Sequence, residues 1–201
     1  EPHIIMVADN LNKYRIILAS RSPRRQQLLR KLGLRFEVIT RDYTEDYPEN
    51  LSGPGIAMFL AKEKAKCFRD EITDNEIVIT ADTIVWCNGR MLGKPADRKD
   101  AIEMIRSLSG NTHEVITGVS ILSSDKERTF FDSTKVTFEV LTDDEISYYI
   151  DEFKPYDKAG AYGIQEWIGL AACSRIDGSY FNVVGLPVQM VYKDHQCFIA
   201  E

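Results

Sequence analysis

The chain has 201 residues, 44% hydrophobic and 28% charged, which is enough for one well-buried domain and gives no composition that favours disorder. Its 25 Lys and Arg against 31 Asp and Glu leave a formal net charge of −6, which argues against a broad nucleic-acid-binding surface and makes any basic cluster a local site. No apolar run reaches the ~18 to 20 residues that cross a bilayer, so neither a nucleic-acid nor a membrane partner is expected.

Residues 1–14 read as a small polar extension ahead of the first core strand, within a single domain spanning 1–201. An apolar strand at 16–19 then runs through Ser20-Arg21-Ser22-Pro23-Arg24-Arg25 into an amphipathic helix. Ser20 or Ser22 can cap that helix, Pro23 suits its first position, Leu28, Leu29 and Leu32 face inward, and Gly33 ends it. The helix therefore opens at its arginines, where unpaired N–H groups and guanidinium forks favour a phosphate. A second strand at 36–40 leads into an acidic loop at 41–50. Ala57, Leu60, Ala61, Lys64, Ala65 and Phe68 recur at helical spacing, which puts Lys64 on or beside an apolar face.

The β-rich segment 77–87 is interrupted by Ala81-Asp82-Thr83, and Asn88-Gly89 marks a hairpin turn. A carboxylate between apolar strand halves needs an ion partner, hydrogen bonds or a metal, so Asp82 stands out; an aspartate capping a local turn is the bland alternative. Asp97 can cap a helix carrying Ala101, Ile102, Ile105 and Leu108, and strands follow at 115–122 and 136–140. Thr142 caps a helix containing Ile146, Tyr149 and Ile150, whose Asp143, Asp144 and Glu145 give favourable charge in its first turn. Tyr148, Tyr149 and Phe153 read as packing residues, and His113 as a structural hydrogen-bonding group. The chain closes with a Gly-rich run at 158–165 and a short C-terminal helix opened by Gly185-Leu186-Pro187. Strands and helices alternate, so the expected class is α/β: a mixed twisted sheet flanked by helices, with two lobes around a cleft. Cys67, Cys87, Cys173 and Cys197 are dispersed without C-x-x-C or a secretory leader, which points to reduced thiols in the cytoplasm; with His3, His113 and His195 equally scattered, no zinc site is expected.

Several short motifs, in one order from about Arg15 to the last helix, closely resemble those of the Maf-like nucleoside triphosphate pyrophosphatases. They are Ser20-Arg21-Ser22-Pro23-Arg24-Arg25, Leu60-Ala61-Lys62-Glu63-Lys64-Ala65, Ala81-Asp82-Thr83-Ile84-Val85, Gly93-Lys94-Pro95, Leu108-Ser109-Gly110 and His113-Glu114-Val115-Ile116-Thr117-Gly118. Asp157-Lys158-Ala159-Gly160-Ala161-Tyr162-Gly163-Ile164-Gln165 and Gly178-Ser179-Tyr180-Phe181-Asn182-Val183-Val184-Gly185-Leu186-Pro187 complete the set. The resemblance implies hydrolysis of a nucleoside triphosphate between its α and β phosphates, giving the monophosphate and pyrophosphate, with a divalent cation, Mg or Mn. The residue combination looks like the branch acting on dTTP and UTP rather than the one acting on 7-methyl-GTP. Motif matching places specificity on Arg24, Thr83 and Gln165, the proton acceptor on Asp82, and further functional positions on Ser20, Arg25, Glu45, Lys64 and Lys94. A homodimer is also implied. The alternatives are a pyrophosphatase for modified or noncanonical nucleotides, or a nucleotide-binding regulator of cell division.

Catalysis of this reaction is chiefly alignment and charge stabilisation while water attacks the α-phosphorus. Asp82 can take the water's proton or bind a metal that lowers the water's pKa; an aspartate near its ordinary pKa of ~3.9 is a poor base unless its surroundings raise that value. Glu45 and Asp82 are the one or two carboxylates that Mg²⁺ uses, the remaining positions going to water and phosphate oxygens. Arg24, Arg25, Lys64 and Lys94 can neutralise the triphosphate, and the Gln165 carboxamide both donates and accepts, matching the edge of uracil or thymine. The family has glycine after this glutamine; here Glu166 and Trp167 follow, so Glu166 is expected to narrow the pocket and Trp167 to stack on a base or pack its rim.

Overall fold

The computed structural model describes residues 12–200; residues 1–11 of the predicted extension, and His3 with them, lie outside the described residues. Among the described residues, seven strands pair in the order β2-β1-β3-β5-β6-β7, with β4 joined to β3, and seven α-helices accompany them. The pairs include parallel and antiparallel ones, so the mixed α/β class expected from the sequence is the one observed. The residues fall into two compact units, through both of which the long strands β3 (Glu76–Cys87), β5 (Thr112–Leu122) and β6 (Glu127–Phe138) run.

The first unit holds 12–82, Thr117–Asp132 and 185–200. Strand β1 (Arg15–Leu18) lies between parallel neighbours, β2 (Phe36–Val38) and β3, with Ile16 opposite both Phe36 and Ile77. Parallel neighbours need crossovers, which here contain helix α1 (Pro23–Lys31) and helix α2 (Pro54–Lys66). Helix α1 starts where Ser22 accepts a hydrogen bond from the Arg25 N–H at 3.5 Å and ends before Gly33 in the left-handed region. Helix α2 buries Ala57, Ala61 and Ala65 completely. Small residues on that face permit close approach, and Gly118 on β5 makes it closer still: a Cβ there would lie 2.2 Å from the Ala57 carbonyl oxygen. Ile17, Ala65, Phe68, Val78 and Leu122 form a buried cluster beside this contact. Helix α7 (Val188–Ala200) is longer than the sequence suggested and buries Val191, His195 and Phe198.

The second unit holds Thr83–Ile116 and Ser133–Val184. Asn88 and Gly89, both at positive φ, turn β3 into β4 (Arg90–Leu92), the geometry that a two-residue hairpin demands. Asp97 caps α3 (Arg98–Leu108) by accepting from the Asp100 N–H at 2.8 Å, and Thr142 with Glu145 forms a reciprocal capping box on α4 (Asp143–Phe153). After the short turn Ala159–Ala161 come α5 (Trp167–Ala171), β7 (Cys173–Asp177) and α6 (Tyr180–Val184). Two further expectations change. The segment predicted to break at Ala81-Asp82-Thr83 is one continuous strand of 12 residues, because Asp82 is paired rather than turned out of the ladder. Strand β6 begins nine residues before its predicted start at Val136, over a stretch whose burial is mostly partial and so lacks an apolar alternation.

Candidate active site

Within the first unit, the sequence order of α1, the acidic loop, α2 and β3 delivers one charged cluster. Ser20, at the end of the β1 turn, is buried. Its hydroxyl accepts from the Ser22 N–H at 3.2 Å and from the Arg25 guanidinium at 3.4 Å, while Arg25 Nε donates to the Gly185 carbonyl at 2.7 Å. Two fixed partners hold the guanidinium across the start of α1. Burial lowers the pKa of Arg25, opposed by the Asp82 charge and reinforced by Arg24. Arg24, one residue earlier, is half-buried.

Asp82 and Lys64 form an ion pair in which the two side chains are only 15% and 14% exposed. Lys64 Nζ also donates to the Ala81 carbonyl at 3.1 Å and sits 4.8 Å from the centre of the Tyr43 ring. Burial pulls the Lys64 pKa below its ordinary value; Asp82 opposes that, Arg25 adds to it, and Glu45 contributes in the same sense as Asp82. Glu45 is exposed and accepts from the Tyr43 hydroxyl at 2.9 Å. Burial, with the charges of Asp82 and Glu45, raises the Tyr43 pKa and keeps its phenol a donor. The structure thus brings Ser20, Arg24, Arg25, Glu45, Lys64 and Asp82 into one electrostatic neighbourhood. Tyr43 belongs to it and was missed; its only sequence mark is an aromatic two residues before Glu45 in an acidic loop.

The remaining predicted residues belong to the second unit. Thr83 is half-buried on β3, and Lys94 is exposed in the loop after β4. That loop is tied down where the Gly160 N–H donates to the Gly93 carbonyl at 3.0 Å. Gly160 has φ +69° and packs so closely on β3 that a Cβ would lie 2.8 Å from Val85 Cγ2. Gln165 is exposed in a turn closed by the Glu166 N–H and the Gly163 carbonyl at 3.0 Å. Both carboxylate oxygens of Glu166 are engaged: the Tyr149 hydroxyl donates to one, and Lys158 lies 3.1 Å from the other. Trp167 is engaged by its own chain, edge-on to Tyr148 at 5.1 Å and stacked 6.5 Å from Tyr149. Tyr149 is fully buried and stacked on Phe153, as expected of a packing residue, whereas Tyr148 and Phe153, expected to pack as well, are exposed.

Two buried polar groups in this unit belong to structure. His113 Nε2 and the Tyr162 hydroxyl lie 2.6 Å apart, beside Phe138, and burial pushes the His113 pKa down to about 4. The Asn182 amide donates to the Val115 carbonyl and the Thr134 hydroxyl, both at 3.0 Å. The Gly178-to-Pro187 motif therefore includes a buried fastening of α6 to β5 and β6.

Among the described residues, no group of three or more His, Cys, Asp or Glu side chains is arranged as a metal cage. The donor set still fits Mg²⁺ or Mn²⁺ with a phosphate substrate: Asp82 and Glu45 both act electrostatically on Lys64, and Mg²⁺ uses one or two carboxylates, with water and phosphate oxygens completing its shell. No helix among the described residues is long and apolar enough to cross a membrane.

The family model described as "Maf-like protein" matches residues 15–196. A relative from Bacteroides fragilis, named dTTP/UTP pyrophosphatase, is 51% identical over 186 residues, covering 92% of this chain and 96% of its own. A second relative of that name, from Flavobacterium johnsoniae, is 51% identical over 188 residues, covering 94% of this chain and 97% of its own. A third, from Porphyromonas gingivalis and also so named, is 49% identical over 193 residues, covering 94% and 97%.

Proposed function

The chain belongs to the Maf-like protein family, and on that premise we propose that it hydrolyses dTTP and UTP at the α–β phosphate link, releasing the nucleoside monophosphate and pyrophosphate. The observation that carries this reading is the buried Lys64–Asp82 pair beside Arg25 and Ser20 at the opening of α1. Cations desolvated in this way act on phosphate oxygens far more strongly than solvated surface lysines do, and they need no reorganisation as charge builds on the leaving group.

Arg24 and Arg25 orient the triphosphate through guanidinium forks, and Lys64 and Lys94 act as point charges on it. Lys64 holds Oδ1 of Asp82, and the second carboxylate oxygen takes the proton as water oxygen bonds to the α-phosphorus. The bond from the α-phosphorus to the bridging oxygen breaks, and pyrophosphate leaves with the electron pair. Glu45, together with Asp82 where it binds the metal instead of taking the proton, would hold the divalent cation. When bound, that ion neutralises phosphate oxygens and lowers the pKa of coordinated water. Thr83 and Gln165 select the base, Gln165 by donating and accepting at once. Cys67, Cys87, Cys173 and Cys197 are free thiols, which supports a cytoplasmic setting.

The test is pyrophosphate release from canonical and modified nucleoside triphosphates, with and without Mg²⁺ or Mn²⁺. Preferential turnover of dTTP and UTP, lost by ~10²-fold or more in a folded Asp82→Asn variant, is the expected result. Equal turnover in that variant removes Asp82 from the mechanism. A preference for a modified nucleotide replaces the substrate assignment while keeping the chemistry.

A further inference from the structure

The departure at Glu166 has a physical consequence for the residue before it. Residues 163–166 form a four-residue turn in which the Glu166 N–H donates to the Gly163 carbonyl at 3.0 Å. Tyr149, fully buried on α4, ties both ends of that turn with one hydroxyl: it accepts from the Gly163 N–H at 3.0 Å and donates to Glu166 Oε2. Lys158 braces the other carboxylate oxygen at 3.1 Å and is itself held by Asp157 at 2.8 Å. The packing leaves little slack. A Cβ on Gly163 would lie 3.0 Å from Glu166 Cδ and 3.1 Å from Lys158 Cε, and one on Gly169 would lie 1.8 Å from the Ile164 carbonyl oxygen. Ile164 is buried as the turn's inward anchor, and Gln165 is the residue left facing out.

We propose that Tyr149 and Glu166 are positioning residues for base selection: together they lock the turn that presents Gln165, so that its carboxamide meets the thymine or uracil edge at a fixed reach. This rests on the reading of Gln165 given above. The physical reason is that a carboxamide is ambiguous. Its one donor and one acceptor match the O6 and N1–H edge of guanine as well as the O4 and N3–H edge of thymine, and those edges lie at different distances from the sugar, so a glutamine on a loose turn can follow either. Selectivity then comes from holding its backbone and denying it the shift that the second pairing needs. A buried phenol that accepts from one end of the turn and donates to a carboxylate at the other does this without touching the nucleotide.

The experiment measures kcat/KM for dTTP and dGTP in the parent chain and in Tyr149→Phe, Glu166→Ala and Glu166→Gln. Tyr149→Phe keeps the ring that stacks on Phe153 and Trp167, so folding survives and the hydroxyl alone is tested. The dTTP-to-dGTP ratio is expected to fall by about 10-fold in Tyr149→Phe and Glu166→Ala, through KM for dTTP, with dGTP turnover retained. Glu166→Gln, which keeps an acceptor for the tyrosine hydroxyl, should hold most of the ratio. If either of the first two variants keeps the parental ratio, or loses both substrates equally, the positioning role is wrong. A parent chain with no preference between dTTP and dGTP overturns the Gln165 reading itself, and the positioning role with it. A preference that Tyr149→Phe preserves overturns the positioning role alone.

Discussion

Lys64 is a cation that burial works against and that Asp82 retains, so its titration should be visible in catalysis. The ammonium is the active form, and its pKa lies below the ordinary lysine value of 10.5. Activity therefore falls as pH rises through that lowered value. The alkaline limb of kcat/KM for dTTP should come earlier than a solvated lysine would give, and Lys64→Arg should remove it, because a guanidinium stays charged over the whole range. A limb that is unmoved in Lys64→Arg belongs to another group. Asn182 makes a different kind of claim. Its amide satisfies the Val115 carbonyl and the Thr134 hydroxyl in a fully buried position, so Asn182→Ala should destabilise the protein by about 2 kcal/mol in urea unfolding. The kinetic constants of the fraction that remains folded should change much less.

At the scale of elements, the placement of Lys64 depends on how closely α2 lies on the sheet. Ala57, Ala61 and Ala65 supply one side of that approach and Gly118 the other. Gly118→Ala should force α2 outward, because the new methyl would meet backbone rather than a side chain that can turn away. The expected cost is about 3 kcal/mol or more, with a loss of turnover that exceeds the loss of folded protein. Wild-type stability and turnover in that variant would contradict the packing account. The alanine spacing of α2 and the position of Lys64 beside its apolar face were legible in the sequence, since both follow from a 3.6-residue period. So were a cap at Ser20 or Ser22, the Asn88-Gly89 hairpin and the Thr142 cap, each of which is fixed by local chemistry, whereas the return bond from Glu145 that completes the capping box came from the structure. The early half of β6 was not legible. Its residues from Glu127 to Thr134 are mostly half-exposed, and pairing with β5, rather than apolar alternation, makes it a strand. The continuity of β3 through Asp82 was hidden for a related reason: its partner Lys64 lies 18 residues earlier, on another element. The same limit applied to Tyr43 and to the contacts of Glu166, whose partners α2 and α4 supply from a distance in sequence.

For the molecule as a whole, the buried histidine sets a pH dependence of stability. The His113 pKa is lowered from 6.5 to about 4 in the folded chain, so between these values the unfolded chain binds the additional proton. Stability therefore rises with pH through that window, and it is lost as pH falls from 6.5 towards 4, by on the order of 3 kcal/mol from this group. Urea midpoints measured from pH 4 to pH 7 should show the rise, and His113→Gln should flatten it. Exposed carboxylates held low by arginine, such as Glu37 beside Arg15 and Asp151 beside Arg98, act in the same direction but only near their own, more acidic range.

The central claim is that water attacks the α-phosphorus of a pyrimidine nucleoside triphosphate, and labelled water tests it most directly. With dTTP turned over in water enriched in oxygen-18, the account predicts one labelled oxygen in the dTMP phosphate and unlabelled pyrophosphate. Label in the pyrophosphate, or release of labelled orthophosphate, would place the attack on the β- or γ-phosphorus and contradict it.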